Sequence, residues 1–403
     1  MDDAATLVNE PETEASISRW LLDHGGTPAT DTAVFQGLCE RLSSAGLPLA
    51  RANLSLGDSH PQVFDRSLLW RPGDQLVVTD HPWETRHNRG YRESPLAVIH
   101  QGAQAVRRRL EGDGAQMDFP ILRELKADGV TEYVAMGLSF TDSSRHFVSF
   151  ATRLAGGFSV ESLAMLDRLM PLIALRLELL HARRMTSTFL RTYLGATAAE
   201  RIEAGTIRRS EGEVIRAILV FADLRQFTRM TDTLGSKDLI DVLGLYYEAV
   251  AEPLEARGAD INKLIGDAML ALFPIRPFED SLYTNATACS AVQGVHEALD
   301  RLHAIPANAL PAGVGQLRAG FGLHVGDVTF GNVGSKNRLD FTVIGPAVNE
   351  VNRVQGLTRQ LGRPLLASRE FANLPCTLDL ESMGFQVLRG FREPKEIFAI
   401  KGL

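Results

Sequence analysis

The chain has 403 residues, 45% of them hydrophobic and 23% charged, with a net charge of -7. That length predicts two or three domains, each able to bury a core. The acidic balance excludes a general nucleic-acid binder, which would be basic, but not a nucleotide carried as a metal complex.

Cys39, Cys289 and Cys376 form no CxxC pair. Their scatter suggests neither a zinc site nor a disulfide framework and fits a reducing cytoplasm. Residues 1–14 are acidic and polar, the reverse of a secretory signal, and read as a disordered tail. Short helices are predicted from Ile17 and over Val34–Ala45, then strands over Leu49–Leu56 and Gln75–Thr79. Arg71-Pro72-Gly73-Asp74 turns the chain between them. A helix over Ile121–Asp128 precedes strands at Glu132–Ser139 and His146–Thr152, and Ser159 opens a long helix. Helices around an antiparallel sheet, closed by a long helix, resemble a GAF-like sensor domain over residues 15–160. The resemblance is one of layout, and it implies a small-molecule ligand that no motif names.

Residues 161–213 read as that long helix and a connector. Leu163–Leu180 is the most apolar long stretch, but Asp167, Arg168, Arg176 and Glu178 lie in it, so no membrane span is predicted. Leu166, Met170, Ile173, Leu177 and Leu180 step by four, three, four and three. Such a seam pairs with a second chain as a coiled coil or packs into the first domain's own core. Pro171 is expected to kink or interrupt the helix.

From Val214 strands alternate with helices: a strand at Ile215–Phe221, a helix at Lys237–Arg257 and strands at Ala259–Ile265 and Ala268–Phe273. A helix at Asp280–His303 and strands at Leu317–His324 and Asp327–Asn332 follow. This order predicts an α+β domain with a ferredoxin-like (βαββαβ-type) sheet covered by helices on one face.

Three clusters there carry chemistry. Asp223 ends a hydrophobic strand just before a helix, as an N-cap or as a metal ligand beside phosphate-facing amides. Asp267 sits at a hairpin tip, and Lys263 in the strand before it must reach a rim or a partner. Pro346 suits the first turn of a helix, on which Asn349 and Arg353 share a face four residues apart. An arginine so placed can bind an anion in a planar fork.

Together, in this order and spacing, these clusters resemble the catalytic domain of class III nucleotidyl cyclases over residues 214–403. Gly322-Leu323-His324-Val325-Gly326-Asp327-Val328 and Gly331-Asn332-Val333-Gly334 resemble that family's central hairpin. The resemblance implies that Asp223 and Asp267, with the carbonyl of Leu224, hold two Mg²⁺ or Mn²⁺ ions. One ion would activate the ribose 3′-hydroxyl and the other would hold the β- and γ-phosphates. It implies that Lys263 and Thr342 read adenine, that Asn349 orients the ribose and that Arg353 stabilises charge on the α-phosphate. For the terminal phosphates it implies Lys395, with Arg392 second. The expected activity is an adenylate cyclase converting ATP to 3′,5′-cyclic AMP and pyrophosphate at the interface of a cytoplasmic homodimer, regulated by its N-terminal domain. Threonine at position 342 resembles a bacterial subgroup for which bicarbonate or carbon dioxide regulation has been proposed. The alternatives are a guanylate cyclase and a catalytically silent, dimeric sensor or scaffold. Gln226 stands where the family often has glycine, and Pro346 where aspartate is frequent.

Overall fold

The structure, a computed structural model, describes residues 12–23, 30–57, 62–208, 212–275, 281–374 and 378–401. Cys376 and most of the tail therefore lie outside the described residues. The chain divides into two compact units, Met1–Thr188 and Phe189–Leu403.

The first unit begins with helices α1 (Glu14–Leu22) and α2 (Asp31–Ser44). Thr13 caps α1 in a capping box with Ser16, so helix starts within the stretch expected to be a disordered tail. Strands β1 (Arg51–Gly57), β2 (Val63–Trp70) and β3 (Val77–Pro82) precede short helices α3 (Arg89–Arg92) and α4 (Pro95–His100). Then come β4 (Ala105–Arg109), α5 (Pro120–Ala127), β5 (Glu132–Ser139), β6 (Arg145–Thr152) and the long α6 (Val160–Leu194). Among the described residues the strands form one antiparallel sheet in the order β3-β2-β1-β6-β5-β4. Strands β2 and β4 are absent from the sequence reading.

One expectation for α6 is corrected, and one open alternative is decided. Pro171 lies inside an unbroken helix. It is exposed, so the Asp167 carbonyl that loses its donor lies on the wet face. The seam Leu166, Met170, Ile173, Leu177 and Leu180 is buried in the unit's own core with Ile17, Phe35, Leu38 and Phe150, so it is not available to a second chain. A different stripe faces outward. Leu175, Leu179, Ala182, Thr186, Phe189 and Tyr193 step by four and three. Leu175 is 54% exposed and Tyr193 72%.

The second unit runs α7 (Ala196–Glu203), β7 (Gly212–Leu224), α8 (Phe227–Thr233), α9 (Ser236–Glu255), β8 (Asp260–Ile265), β9 (Ala268–Ile275), α10 (Ser281–Ala304) and β10 (Ala319–Gly334). It continues with β11 (Leu339–Ile344), α11 (Pro346–Gln360), β12 (Leu365–Ser368), α12 (Arg369–Ala372), β13 (Leu380–Gln386) and β14 (Lys395–Ile400). Sheet order among the described residues is β13-β14-β12-β10-β7-β9-β8, with β11 paired to β10. Within it β10-β7-β9-β8, joined through α9 and α10, follow the βαββαβ order.

Strand β7 is apolar on both faces because both are covered. Ile218, Val220 and Ala222 meet Val242, Tyr246 and Val250 of α9 and Ala288, Ala291 and Val295 of α10. Leu219 and Phe221 meet Phe330 of β10, Phe341 and Val343 of β11, and Ala347 and Val351 of α11. Strand β10 carries Gly322 where α11 crosses it. A Cβ there would lie 2.7 Å from the Val351 carbonyl oxygen and the Gln355 nitrogen, so the glycine lets the helix seat directly on the strand.

Candidate functional site

Asp223 is the penultimate residue of β7, opposite Ala268 of β9 and Gly320 of β10. Asp267 occupies the two-residue turn between β8 and β9, in which Gly266 takes φ +66°. The Leu224 N–H donates to the Asp267 main-chain carbonyl at 3.2 Å, which ties the hairpin tip to the end of β7. Burial, together with the neighbouring Asp267 carboxylate, pushes the Asp223 carboxyl up to about 6 against the opposing pull of Arg225. Burial also raises Asp267. Two partly buried carboxylates thus repel each other at the end of an interior strand, a donor set of hard oxygens that suits one or two Mg²⁺ or Mn²⁺ ions. The Tyr247 hydroxyl donates to the Gly266 carbonyl. Behind them Tyr246 is fully buried, and its hydroxyl makes no hydrogen bond among the described residues.

Lys263 and Thr342 also come together. The β8–β9 register skips Asn262 between Ile261 and Lys263, a bulge that re-aims side chains. Lys263 ion-pairs with Asp340 of β11. The Thr342 hydroxyl donates to Asn262 Oδ1 at 3.4 Å. Asn262 is buried, with no hydrogen bond at Nδ2 among the described residues. Asn262 and Asp340 were missed in the sequence; only a bulge and a contact between strands 77 residues apart reveal them.

Asn349 and Arg353 are exposed on α11, and Arg392 is exposed in the loop before β14. Lys395 is engaged: its ammonium lies 3.3 Å from Glu350 of α11 and 3.1 Å from Glu370 of α12. The structure therefore places Asp223 beside Asp267, Lys263 and Thr342 on the facing strands β8 and β11, and Asn349 and Arg353 on the exposed side of α11, while Lys395 meets the buried Glu350 of that helix. The charged groups that shift Asp223 are Asp267, which raises it, and Arg225, which lowers it.

The first unit encloses a cavity of about 290 Å³. Arg51, Asn53, Asp65 and Ser149 line it on the sheet side, with Phe64 and Tyr91 as aromatic walls. Asp65 accepts from Ser55 at 2.6 Å. Burial lowers the pKa of the Arg51 guanidinium. No helix among the described residues is long and apolar enough to cross a membrane.

Residues 212–369 match the family of adenylate and guanylate cyclase catalytic domains. An adenylate cyclase from Anabaena cylindrica is 32% identical over 163 residues, 40% of this chain and 31% of that protein. Adenylate cyclase 1 from Rhizobium meliloti (strain 1021) is 29% identical over 149 residues, 37% of this chain and 22% of that protein. The chain thus spans under a third of the length of these relatives. Among solved structures, the adenylyl cyclase CyaB from P. aeruginosa is 23% identical, covering 47% of this chain and 95% of that chain with a TM-score of 0.42.

Proposed function

We propose, from the premise that residues 212–369 are an adenylate and guanylate cyclase catalytic domain, that the chain converts ATP to 3′,5′-cyclic AMP and pyrophosphate. The observation that carries this reading is the pairing of the Asp223 and Asp267 carboxylates at the end of β7. Bound by them and the Leu224 carbonyl, two Mg²⁺ or Mn²⁺ ions supply acidification of the ribose 3′-hydroxyl and neutralisation of the β- and γ-phosphates. Asn349 orients the ribose. Arg353 stabilises the charge that grows on the α-phosphate as the 3′-oxygen attacks and pyrophosphate departs. Lys395 or Arg392 meets the terminal phosphates.

Choice of purine follows from hydrogen-bond polarity. Lys263 donates to adenine N1, held in place by Asp340. The Thr342 hydroxyl gives its proton to Asn262, so its lone pairs remain free to accept from the adenine 6-amino group. Guanine presents a donor at N1 and an acceptor at O6, and both would face the wrong partner.

The active site is shared. One copy contributes Asp223 and Asp267, and its partner contributes Lys263, Thr342, Asn349 and Arg353, giving a head-to-tail homodimer with two sites. The outward stripe of α6 from Leu175 supports pairing of two copies. We read the first unit as a GAF-like regulatory domain whose cavity takes a small-molecule ligand.

Turnover of ATP and of GTP with Mn²⁺ tests the assignment. Cyclic AMP is the expected main product, and Asp223→Ala or Asp267→Ala abolishes it. Cyclic GMP as the main product selects the guanylate cyclase instead. No product from either nucleotide in a folded dimer selects the silent scaffold.

A further inference from the structure

Behind α11, away from Asp223 and Asp267, a second polar cluster is buried in the cyclase unit. His324 of β10 is 4% exposed, and Glu350 of α11 is 6% exposed. Glu370 of α12 completes it, and the three ligand atoms lie within 4.8 Å of one another. His324 Nδ1 is 3.9 Å from Glu350 Oε1 and 3.8 Å from Glu370 Oε2. Ser368 Oγ, which caps α12, also lies 2.9 Å from that nitrogen.

Lys395 is the cation present, and it satisfies the cluster poorly. Its ammonium hydrogen-bonds Glu370 Oε1 at 3.1 Å and Glu350 Oε2 at 3.5 Å. Among the described residues neither Glu350 Oε1, which lies 3.3 Å from the ammonium as an ion pair, nor Glu370 Oε2 has a hydrogen bond. One ammonium therefore faces two carboxylates and an imidazole, leaving inward-facing oxygens unsatisfied, which is costly at such burial.

We propose that His324, Glu350 and Glu370 form a binding site for one divalent ion of the zinc class, occupied in competition with the Lys395 ammonium. The donors are one imidazole nitrogen and two carboxylates, a set that suits Zn²⁺ and leaves a fourth position for water. Tetrahedral ligands at about 2.0–2.2 Å stand ~3.4 Å apart, so the 3.8 and 3.9 Å separations need to close by about half an ångström. Lys395 is the first residue of β14 and a third exposed, so its flexible stem can swing out to water. The Ser368 hydroxyl turns its proton away as the ion binds.

The site is tested by binding, whatever purine the domain accepts. The full chain carrying Asp223→Asn and Asp267→Asn, which removes the other carboxylate pair, is titrated with Zn²⁺ by calorimetry and with Co²⁺ by visible absorption. One ion per chain is expected, with cobalt bands of low-symmetry, four-coordinate character. Adding Glu370→Gln, a half-buried position that tolerates the change, weakens binding by about tenfold or more, and Glu350→Gln does the same. Adding Lys395→Met, which keeps the stem and removes the competing charge, tightens binding by roughly tenfold. Absence of binding in both the parent and the Lys395→Met chain overturns the proposal. So does binding that neither Glu370→Gln nor Lys395→Met changes.

Discussion

Gln226 follows β7 with φ +63°, a left-handed conformation that side chains rarely adopt. The position where the sequence departs from a frequent glycine is thus one where the backbone wants glycine. Gln226→Gly should stabilise the protein by about 1 kcal/mol, read as a rise in urea midpoint at constant slope. Asp223 carries a second residue-scale expectation. Its folded-state pKa, about 6, lies above the ordinary value of 3.8, so its favourable contribution is present below about pH 4 and is lost as pH rises through 6. Asp223→Asn should therefore raise the Tm of metal-free protein at pH 8 and leave it nearly unchanged at pH 4; equal shifts at both values would remove charge repulsion as the cause. Both aspartates were legible because a carboxylate ending an apolar strand and another at a hairpin tip are local patterns. Asn262 and Asp340 were not, because their roles depend on a bulge and on β8 meeting β11.

At the scale of elements, α9, α10 and the β7–β9 hairpin strands were readable from apolar runs of ordinary length. Strand β2 hid because Asp65, Arg66 and Ser67 interrupt its alternation, and Asp65 points into the cavity as a buried polar residue. Strand β4, Ala-Val-Arg-Arg-Arg, is a charged sheet edge that only its pairing with β5 identifies. The seam in α6 was legible but its partner was not, since spacing alone cannot say whether an apolar stripe meets a second chain or the domain's own core; burial decides for the core. Leu175→Asp with Leu179→Asp, both on the outward stripe, should leave the monomer folded by circular dichroism. It should shift sedimentation velocity toward monomer and lower turnover in step. In β10, Gly322→Ala would press a methyl against the backbone of α11. A loss of about 1–3 kcal/mol is expected, with reduced kcat, because the displaced helix carries Asn349 and Arg353.

For the whole molecule, the separation of the three side-chain groups within one chain sets the decisive test of the shared site. Asp223→Ala and Arg353→Ala chains are each expected to be inactive. Mixed, they should regain part of the activity, since a heterodimer pairs one intact set of aspartates with one intact arginine. Purified heterodimers without activity would refute the arrangement.

The short hairpin β8–β9 has a further consequence. Lys263 on its strand and Asp267 at its tip are four residues apart, yet in a head-to-tail pair they face different nucleotides. If the proposed shared-site dimer forms, a tilt of that ribbon on docking of one nucleotide would move the aspartate that serves the other site. The two proposed clefts would then be linked through a lever three residue pairs long, so that loading one would set the posture of the other.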